Sequence, residues 1–265
     1  MPRYTTPRYC TTSLGRLRSS HPLDLTRPLN VILYCALVSS FHSVRHQVPY
    51  FSQWESPQLV PLILGGAMSA ADDPLWSLSG ASTPAAYEFW SWRICGMACL
   101  RMALSYWRGV EPPTVTLAQE CLDAGAYVRR PDRVDGLIYA PFCSYVRSRW
   151  SLEVGSCPEL PTDQLASHLS AGRLIMLSVH ARVRNPQTEP PRRGGHLVLA
   201  VGATTEHLFV HNPSGLPGDS QEFAAIPWPR LERFSARRGV VLGPGAGAGS
   251  FSPDRYHHDV AEKTR

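Results

Sequence analysis

The order of two hydrophobic patterns constrains the fold of this chain more than any other feature. Helical spacing prevails from about residue 95 to residue 170, and short β-rich runs prevail from residue 174 onward. Helices that come first and strands that follow favour an α+β fold with an antiparallel sheet. The chain has 265 residues, of which 43% are hydrophobic. That is enough for one sizeable core and does not require a second domain.

Four helices are predicted before the strands. The first begins at Cys95 and repeats apolar residues every three or four positions as far as Tyr106, and Gly109 follows where a left-handed cap is expected. The other three are predicted at residues 114–124, capped by Thr114 or Thr116, at residues 136–150, and at residues 162–170, capped by Thr162.

Short strands are predicted at residues 174–179, 196–201, 207–210 and 239–242, and a short strand with a turn at residues 48–54. Residues 55–90 read as a connection rich in Gly, Pro and Ser, with a short helix near residues 61–68. A structureless loop of this length is uncommon in a compact domain and is often functional.

The two ends of the chain differ in composition from its middle. Residues 1–46 are interpreted as a disordered or weakly docked extension, or as the product of a start codon assigned too early. Their apolar run, residues 31–38, is shorter than the roughly 20 residues of a membrane span, and it lacks the flanks of a signal peptide. The prediction is a domain at residues 47–243, a flexible tail at residues 244–265, and no transmembrane segment.

The charge pattern argues against a nucleic-acid partner. The net charge of +5 comes almost entirely from Arg, since Lys263 is the one lysine, and the Arg doublets are scattered without interleaved aromatic residues. A nucleic-acid footprint would be clustered. No partner is therefore predicted beyond a peptide or amide substrate, and the oligomeric state stays open.

The cysteines predict neither a metal nor a redox motif. There are seven, with no C-x-x-C pair, which fits a reduced, cytoplasmic protein, although a secreted protein with a few bridges is also compatible. A metal site built from His196, His207, His211 and Cys157 is disfavoured, because His207 and His211 would lie about 13 Å apart along one strand. No cofactor is predicted.

Cys95 is a candidate nucleophile because of its predicted place at the start of a helix. Unpaired N–H groups and the positive end of the helix dipole favour the thiolate there, and the thiolate is the reactive form. Gly96 leaves room for a substrate carbonyl beside it. The alternative is a small buried hydrophobic residue, an interpretation that fits Cys99, one turn further on, better.

A predicted hairpin brings a histidine close to an asparagine. If the strands pair about the turn at residues 204–205, the partner of His196 falls near position 213, one residue from Asn212. Cross-strand neighbours have Cβ atoms about 4.5–5.5 Å apart. The amide could then orient the imidazole, whose other nitrogen would take a proton from a thiol, as in a Cys-His-Asn triad. Taken separately, the two residues would read as an ordinary strand histidine and an ordinary turn.

Three blocks together resemble a known family. They are Val48-Pro49-Tyr50-Phe51-Ser52-Gln53, the Cys-Gly block at residues 95–102, and the Gly-Gly-His block at residues 194–199. Over roughly residues 47–242 they resemble cysteine peptidase family 39, the family of bacteriocin-processing peptidases, and more closely its stand-alone peptidase-like domains in bacteria.

The resemblance implies a papain-like α+β fold, in which an N-terminal helical part with a long central helix packs on an antiparallel sheet. It also implies that Cys95 is the nucleophile, His196 the base, Asn212 the orienting residue, and Gln53, with the Cys95 backbone N–H, the oxyanion donor. In the family the glutamine usually lies a few residues before the cysteine, where this chain has Phe89 and Trp90.

The sequence thus predicts a cysteine peptidase-like hydrolase that cleaves a peptide or amide bond. The alternative is a papain-like module that binds peptides without cleaving them. That alternative is motivated by the missing local glutamine and by Trp90 and Trp92, which could crowd the thiol.

Overall fold

A computed structural model describes residues 43–131 and 133–245 of the chain. The predicted flexible tail lies outside these residues except for its first two positions, and so does the predicted extension except for residues 43–46. These last residues do not form part of a loose extension. Val44 and Arg45 pair with the centre of the sheet, and the backbone N–H of His46 donates to Val201. The ordered domain therefore begins before residue 47.

Among the described residues, the main sheet contains seven strands and is antiparallel throughout. Its path runs β4-β9-β5-β6-β7-β8, and β1 pairs with β6 beside this path. The strands of this sheet are β1 (Val44–Arg45), β4 (Glu153–Cys157), β5 (Leu174–Val179), β6 (His196–Ala203), β7 (His207–His211), β8 (Ala224–Pro227) and β9 (Ser235–Gly243). A separate two-stranded ribbon consists of β2 (Val128–Arg129) and β3 (Val134–Asp135).

Seven α-helices lie in the part of the chain that the structure describes. They are α1 (Val60–Leu64), α2 (Pro84–Ser91), α3 (Cys95–Arg108), α4 (Thr114–Asp123), α5 (Tyr139–Trp150), α6 (Leu165–Ser170) and α7 (Trp228–Phe234). Short 3-10 helices span Pro57–Leu59, Ala70–Asp72, Trp76–Ser79, Thr162–Gln164 and Ala181–Arg184.

The central helix α3 forms where its sequence predicts it. It ends at Gly109, whose φ of 64° is the left-handed conformation that glycine adopts without a steric penalty. Its buried residues include Met97, Leu100 and Leu104, which belong to the same hydrophobic core as one face of the sheet. The arrangement of a long helix on an antiparallel sheet is the papain-like α+β fold that the sequence predicts.

The sheet separates two hydrophobic cores, and β6 contributes to both. Leu197, Leu199 and Val201 face the core that contains α3, while Val198 and Ala200 face the core on the opposite side. Successive residues of a strand point to opposite faces of the sheet. This explains why the strand reads as a continuous apolar run instead of an alternating one.

The connection at residues 55–91 is folded, although its composition suggested a loop. Tyr87 of α2 is fully buried, and its hydroxyl donates to Asp73 over 2.7 Å and accepts from the backbone N–H of Glu55 over 2.7 Å. Asp73 also accepts from the backbone N–H and the hydroxyl of Ser56. A buried polar cluster therefore holds this segment together where regular hydrophobic spacing is weak.

Two predicted helix caps are wrong for the same reason. Pro113 and Pro161 occupy the cap positions, and neither helix start has a side-chain cap. The hydroxyl of Thr114 instead donates to Glu55 over 3.2 Å, and that of Thr162 bonds to Glu232. In both cases the hydroxyl donates to a distant carboxylate, and its oxygen does not accept a backbone N–H at the start of the helix.

Other boundaries also differ from the sequence predictions. α5 begins at Tyr139 instead of residue 136, because Gly136 has a φ of 141°, which is not helical. Residues 48–54 form no strand. The N–H of Gln53 and the hydroxyl of Ser52 both donate to Pro213 over 2.9 Å, so this segment follows a loop and not a strand edge. β4, β8 and α7 are not predicted, because each is short and weakly patterned.

Candidate active site

A cleft of about 940 Å³ opens between the start of α3 and the start of β6. Its walls contain three of the four predicted site residues, Gln53, Cys95 and His196. The other residues of the wall that matter here are Trp54, Trp92, Arg93, Gly96, Tyr139, Ser178, Arg184, Gly195, Leu197, Ser214 and Arg238.

Cys95 is the first residue of α3, and its thiol lies against β6. It is partly exposed, whereas Cys99, one turn further on, is fully buried. A Cβ atom added at Gly96 would lie 3.1 Å from the side chains of both Leu137 and Leu197. Glycine therefore lets the first turn of α3 approach β6 closely. The sequence had suggested only that the missing side chain would leave room for a substrate.

The environment of Cys95 does not favour the thiolate, contrary to the expectation from a helix start. Burial raises the pKa of the Cys95 thiol, and hydrogen bonds from the backbone N–H groups of Leu197, Gly96 and Cys95 itself offset this only in part. A thiol removed from water loses more solvation of its charged form than these donors restore. The contact with Leu197 nevertheless places the sulfur beside the residue that follows His196.

His196 and Asn212 form a hydrogen bond at the open end of the β6–β7 hairpin. The Nε2 atom of His196 lies 2.8 Å from Oδ1 of Asn212, and both residues are buried. Since Oδ1 accepts, Nε2 must carry the proton in the neutral ring, which leaves Nδ1 as the proton acceptor. The structure records no hydrogen bond between this ring and the Cys95 thiol.

The pairing of this hairpin differs in detail from the sequence count. Ala203 pairs with Leu208, and Leu199 pairs with His211 after a register shift between Ala200 and Gly202. The count placed the centre of the turn between residues 204 and 205, one residue too early. His196 and Asn212 still form a hydrogen bond, because their side chains reach across the difference in strand register.

Ser214 fixes the orientation of the Asn212 amide. Its backbone N–H donates to Oδ1 of Asn212 over 3.1 Å, and its hydroxyl lies 3.2 Å from Nε2 of His196. A Cβ atom at Gly215 would lie only 2.0 Å from the carbonyl oxygen of Ser220, so the loop requires glycine there. The Asn-Pro-Ser-Gly turn therefore positions the amide as well as reversing the chain.

The surroundings of His196 keep its ring neutral. Burial lowers the pKa of His196 to about 4, the hydrogen bond to Asn212 opposes this shift, and the nearby charge of Arg184 adds to it. A ring that is neutral at pH 7 can accept a proton, as a general base must.

Gln53 reaches the cleft in spite of the long insertion between it and Cys95. Its side-chain Nε2 donates to the carbonyl of Ser91 over 2.8 Å, and its backbone N–H donates to Pro213. Gln53 is therefore held both to the end of α2 and to the loop that follows Asn212. Its Oε1 atom is buried without a hydrogen-bond partner among the described residues.

The two tryptophans before Cys95 occupy different environments. Trp90 is buried and packs edge-on against Phe89 and Tyr127, so it does not line the cleft. Trp92 is exposed, contacts Trp54 edge-on and lines the cleft. Crowding of the thiol by Trp90, which the sequence suggested, is therefore excluded.

Sequence reasoning missed Ser214, Arg184 and Arg238 as parts of the cleft. Ser214 was part of a predicted turn, and Arg184 and Arg238 lie in segments that carry no motif. Tyr139 also lines the cleft, beside Ser178. The sequence offers no signal for the two arginines, because only the chain path brings them to the cleft.

Metal binding finds no support among the described residues. They contain no group of three or more His, Cys, Asp and Glu side chains placed to hold an ion. His211, one of the histidines weighed for such a site, is fully buried. Its Nε2 lies 2.8 Å from the carbonyl oxygen of Val48, and its Nδ1 accepts from the backbone N–H of Phe223 over 3.0 Å.

Within residues 43–131 and 133–245, no helix combines the length and the apolar character that crossing a membrane demands.

Comparisons with known proteins identify one family. Residues 45–234 match the family model described as the Peptidase C39 like family. No sequence among the curated proteins matches the chain.

Three solved structures are similar, each with 14% identity. A protein described as a C39-like peptidase from Bacillus anthracis has a TM-score of 0.47, and 76% of this chain and 97% of that chain are covered. A double glycine motif protease from an AMS/PCAT transporter, in complex with the leader peptide, has a TM-score of 0.41 with the same coverage. The peptidase domain of Streptococcus ComA, a bi-functional ABC transporter, has a TM-score of 0.39, with 57% and 92% covered.

Proposed function

This chain belongs to the Peptidase C39-like family, and on that premise we propose that it is a cysteine peptidase-like hydrolase that cleaves a peptide or amide bond. Cys95 is the nucleophile, His196 the general base, Asn212 the residue that orients the imidazole, and Gln53 an oxyanion donor. The observation that carries the proposal is the 2.8 Å hydrogen bond between His196 and Asn212, because His196 and Cys95 line the same cleft.

The first half of the reaction forms a thioester. Sγ of Cys95 attacks the substrate carbonyl carbon while Nδ1 of His196 takes the thiol proton. The oxygen that becomes negative accepts hydrogen bonds from the Cys95 backbone N–H and from the Gln53 side-chain amide. The carbon–nitrogen bond then breaks, and the leaving amine takes the proton from His196.

The second half releases the acid. A water molecule attacks the thioester carbonyl while His196 takes its proton, and the carbon–sulfur bond breaks to return the thiol. The hydrogen bond to Asn212 keeps the ring oriented through both proton transfers and stabilises the imidazolium that forms transiently.

The Gln53 amide has one donor left for the oxyanion. A primary amide carries two N–H donors, and one of those of Gln53 is directed at the Ser91 carbonyl. The loss of one oxyanion donor costs about 10²–10³ in rate in enzymes where it has been removed. The cleft position of Gln53 supports its role in place of the glutamine that the family usually carries just before the cysteine.

Cleavage of a diverse peptide library, read by mass spectrometry of new termini, tests the proposal. We expect C95A and H196A to abolish cleavage and N212A to reduce it by about one to two orders of magnitude. C99A is the matched control, since it changes a cysteine one turn along the same helix that lies buried outside the cleft. Cleavage that persists in C95A would refute the assignment of the nucleophile.

The non-cleaving binding module is the second candidate. The raised pKa of Cys95 and the lowered pKa of His196 favour it, because they leave both groups uncharged in the free protein. If the wild-type protein retains library peptides on a column but produces no new termini, this second candidate replaces the first. A cytoplasmic location remains a prediction from the sequence.

A further inference from the structure

Arg184 is a desolvated cation in the wall of the cleft. It lies at the end of the short 3-10 helix after β5, and burial lowers the pKa of its guanidinium. Its one recorded hydrogen bond runs from an Nη atom to the hydroxyl of Ser214 over 2.9 Å, and its Nε is buried without a partner. No carboxylate among the described residues pairs with it.

The charge lining the cleft has one sign. Three arginines contribute to the wall, Arg93, Arg184 and Arg238, and no Asp or Glu does. Arg93 is already engaged, because it stacks over Phe89 and donates to the carbonyl of that residue. The cleft therefore presents two arginines that no described carboxylate neutralises.

Both of these arginines lie close to His196. Arg184 reaches Ser214, whose hydroxyl is 3.2 Å from the His196 ring. Arg238 lies beside Tyr139, and its Nη atom is 3.8 Å from the Cβ position of Gly194, two residues before His196. A charged group on a substrate bound at Cys95 would thus meet cationic groups near the imidazole.

A partly buried guanidinium without a counter-ion is less favourable than one paired with a carboxylate, which a ligand can supply. Desolvated charges in proteins are paired, and a polar atom that lacks a partner calls for an explanation. The planar fork of Arg matches a carboxylate with two parallel hydrogen bonds. The Nε atom is buried, so the donors that such a pair would use are the Nη hydrogens that Ser214 does not engage.

We propose that the cleft takes substrates that carry a carboxylate near the bond to be cleaved, and that Arg184, assisted by Arg238, binds this carboxylate. The inference rests on the proposed function, whose substrate class it narrows. The carboxylate belongs either to an acidic side chain or to the free C-terminus of a peptide.

Occupation of this site would also act on the general base. The charge of Arg184 contributes to the low pKa of His196. A bound carboxylate would offset that charge, so the pKa of His196 would rise and the ring would become a stronger base when this class of substrate is present.

A pair of small alkylating agents tests the carboxylate site without a known substrate. Iodoacetate carries a carboxylate, and iodoacetamide is its neutral analogue of nearly the same size. At pH 9 and low salt, we expect the ratio of their rates at Cys95, followed by peptide mapping, to exceed the ratio for glutathione by about tenfold. Because both reagents alkylate the same thiol, the ratio of their rates within one variant does not depend on how reactive that thiol is.

Three variants test whether the ratio of the two alkylation rates depends on Arg184 and Arg238. We expect R184Q to lower it towards the glutathione value, R238Q to lower it less, and R184K to retain part of it. R149Q is the matched control, because it removes the same charge from an exposed residue of α5 outside the cleft. An unchanged ratio in both R184Q and R238Q would overturn the inference.

The peptide library separates the two sources of the carboxylate. Cleavage beside Asp or Glu that is lost on replacement by Asn or Gln assigns an acidic side chain. Cleavage that is lost when the C-terminus is amidated assigns the terminal carboxylate, and indifference to both changes overturns the inference. The alkylation ratio does not require turnover, so its outcome stays separate from failure of the hydrolase proposal, which C95A and H196A decide.

Discussion

At the scale of single residues, burial disfavours the charged forms of both Cys95 and His196. The start of α3 offers backbone donors to the sulfur, yet burial raises the pKa of the thiol. Burial and the charge of Arg184 lower that of the imidazole to about 4. The free protein therefore holds a neutral thiol and a neutral ring. Proton transfer then accompanies attack on the substrate instead of preceding it.

This neutral pair predicts the pH dependence of alkylation. Because only the thiolate reacts and burial raises the pKa of Cys95, we expect the rate with iodoacetamide to stay low near neutrality and to rise only at alkaline pH. Peptide mapping of Cys95 over pH 5–10, with glutathione in parallel, measures this. A high plateau between about pH 5 and 8 would instead reveal a preformed thiolate–imidazolium pair.

At the scale of elements, the insertion before α3 acts as a folded support for the cleft. Residues 55–91 connect Gln53 to the start of α3, and Ser91 at the end of α2 accepts the hydrogen bond of the Gln53 side chain. Tyr87 of the same helix donates to Asp73 and accepts from Glu55. The position of Gln53 therefore depends on this segment being ordered.

The variant Y87F tests the order of the insertion. It removes a hydroxyl that is fully buried and leaves the N–H of Glu55 without its partner. The expected loss is about 1–3 kcal/mol in the free energy of unfolding, measured with urea. A cycle with D73N and the double variant isolates the Tyr87–Asp73 contribution. Additive losses in that cycle would contradict a coupled cluster.

At the scale of the whole molecule, two cores share one sheet, and two of its strands each carry a buried histidine. Burial lowers the pKa of both His196 and His211 to about 4. In the unfolded chain a histidine has a pKa of about 6.5. The unfolded state therefore binds more protons than the folded state between these two values.

Stability is consequently predicted to fall as the pH decreases from about 6.5 to about 4. Each of these histidines contributes a loss of roughly 3 kcal/mol over that range. Urea unfolding at several pH values measures the slope, and H196Q should reduce it by the equivalent of about one proton. An identical slope for H196Q and the wild-type protein would show that His196 is protonated in the folded state.

Much of the element order could be predicted, but the boundaries could not. α3, β5, β6 and β7 have strong apolar patterns, and the structure places them where the sequence does. β4, β8 and α7 were missed, and the strand predicted at residues 48–54 is wrong. Local propensity determines the secondary structure of a short segment only weakly, and pairing with a distant strand or loop outweighs that propensity.

The candidate site was likewise predictable from the sequence only in part. Gln53, Cys95 and His196 were named from the sequence and line one cleft, while Asn212 meets His196 from the next strand. The two uncompensated arginines were not predicted, since Arg184 and Arg238 lie outside the motifs. Their proximity to His196 results from the packing of three separate segments.

The sequence by itself determined which residue types occur at the start of the long helix and at the open end of the hairpin, because helix spacing and strand pairing are local patterns. Only the tertiary structure decided the protonation of Cys95 and His196, the path of Gln53 into the cleft, and the single sign of charge on its walls. Solvation and electrostatic interactions depend on everything within several ångströms of a group, and distance along the chain does not report what lies there.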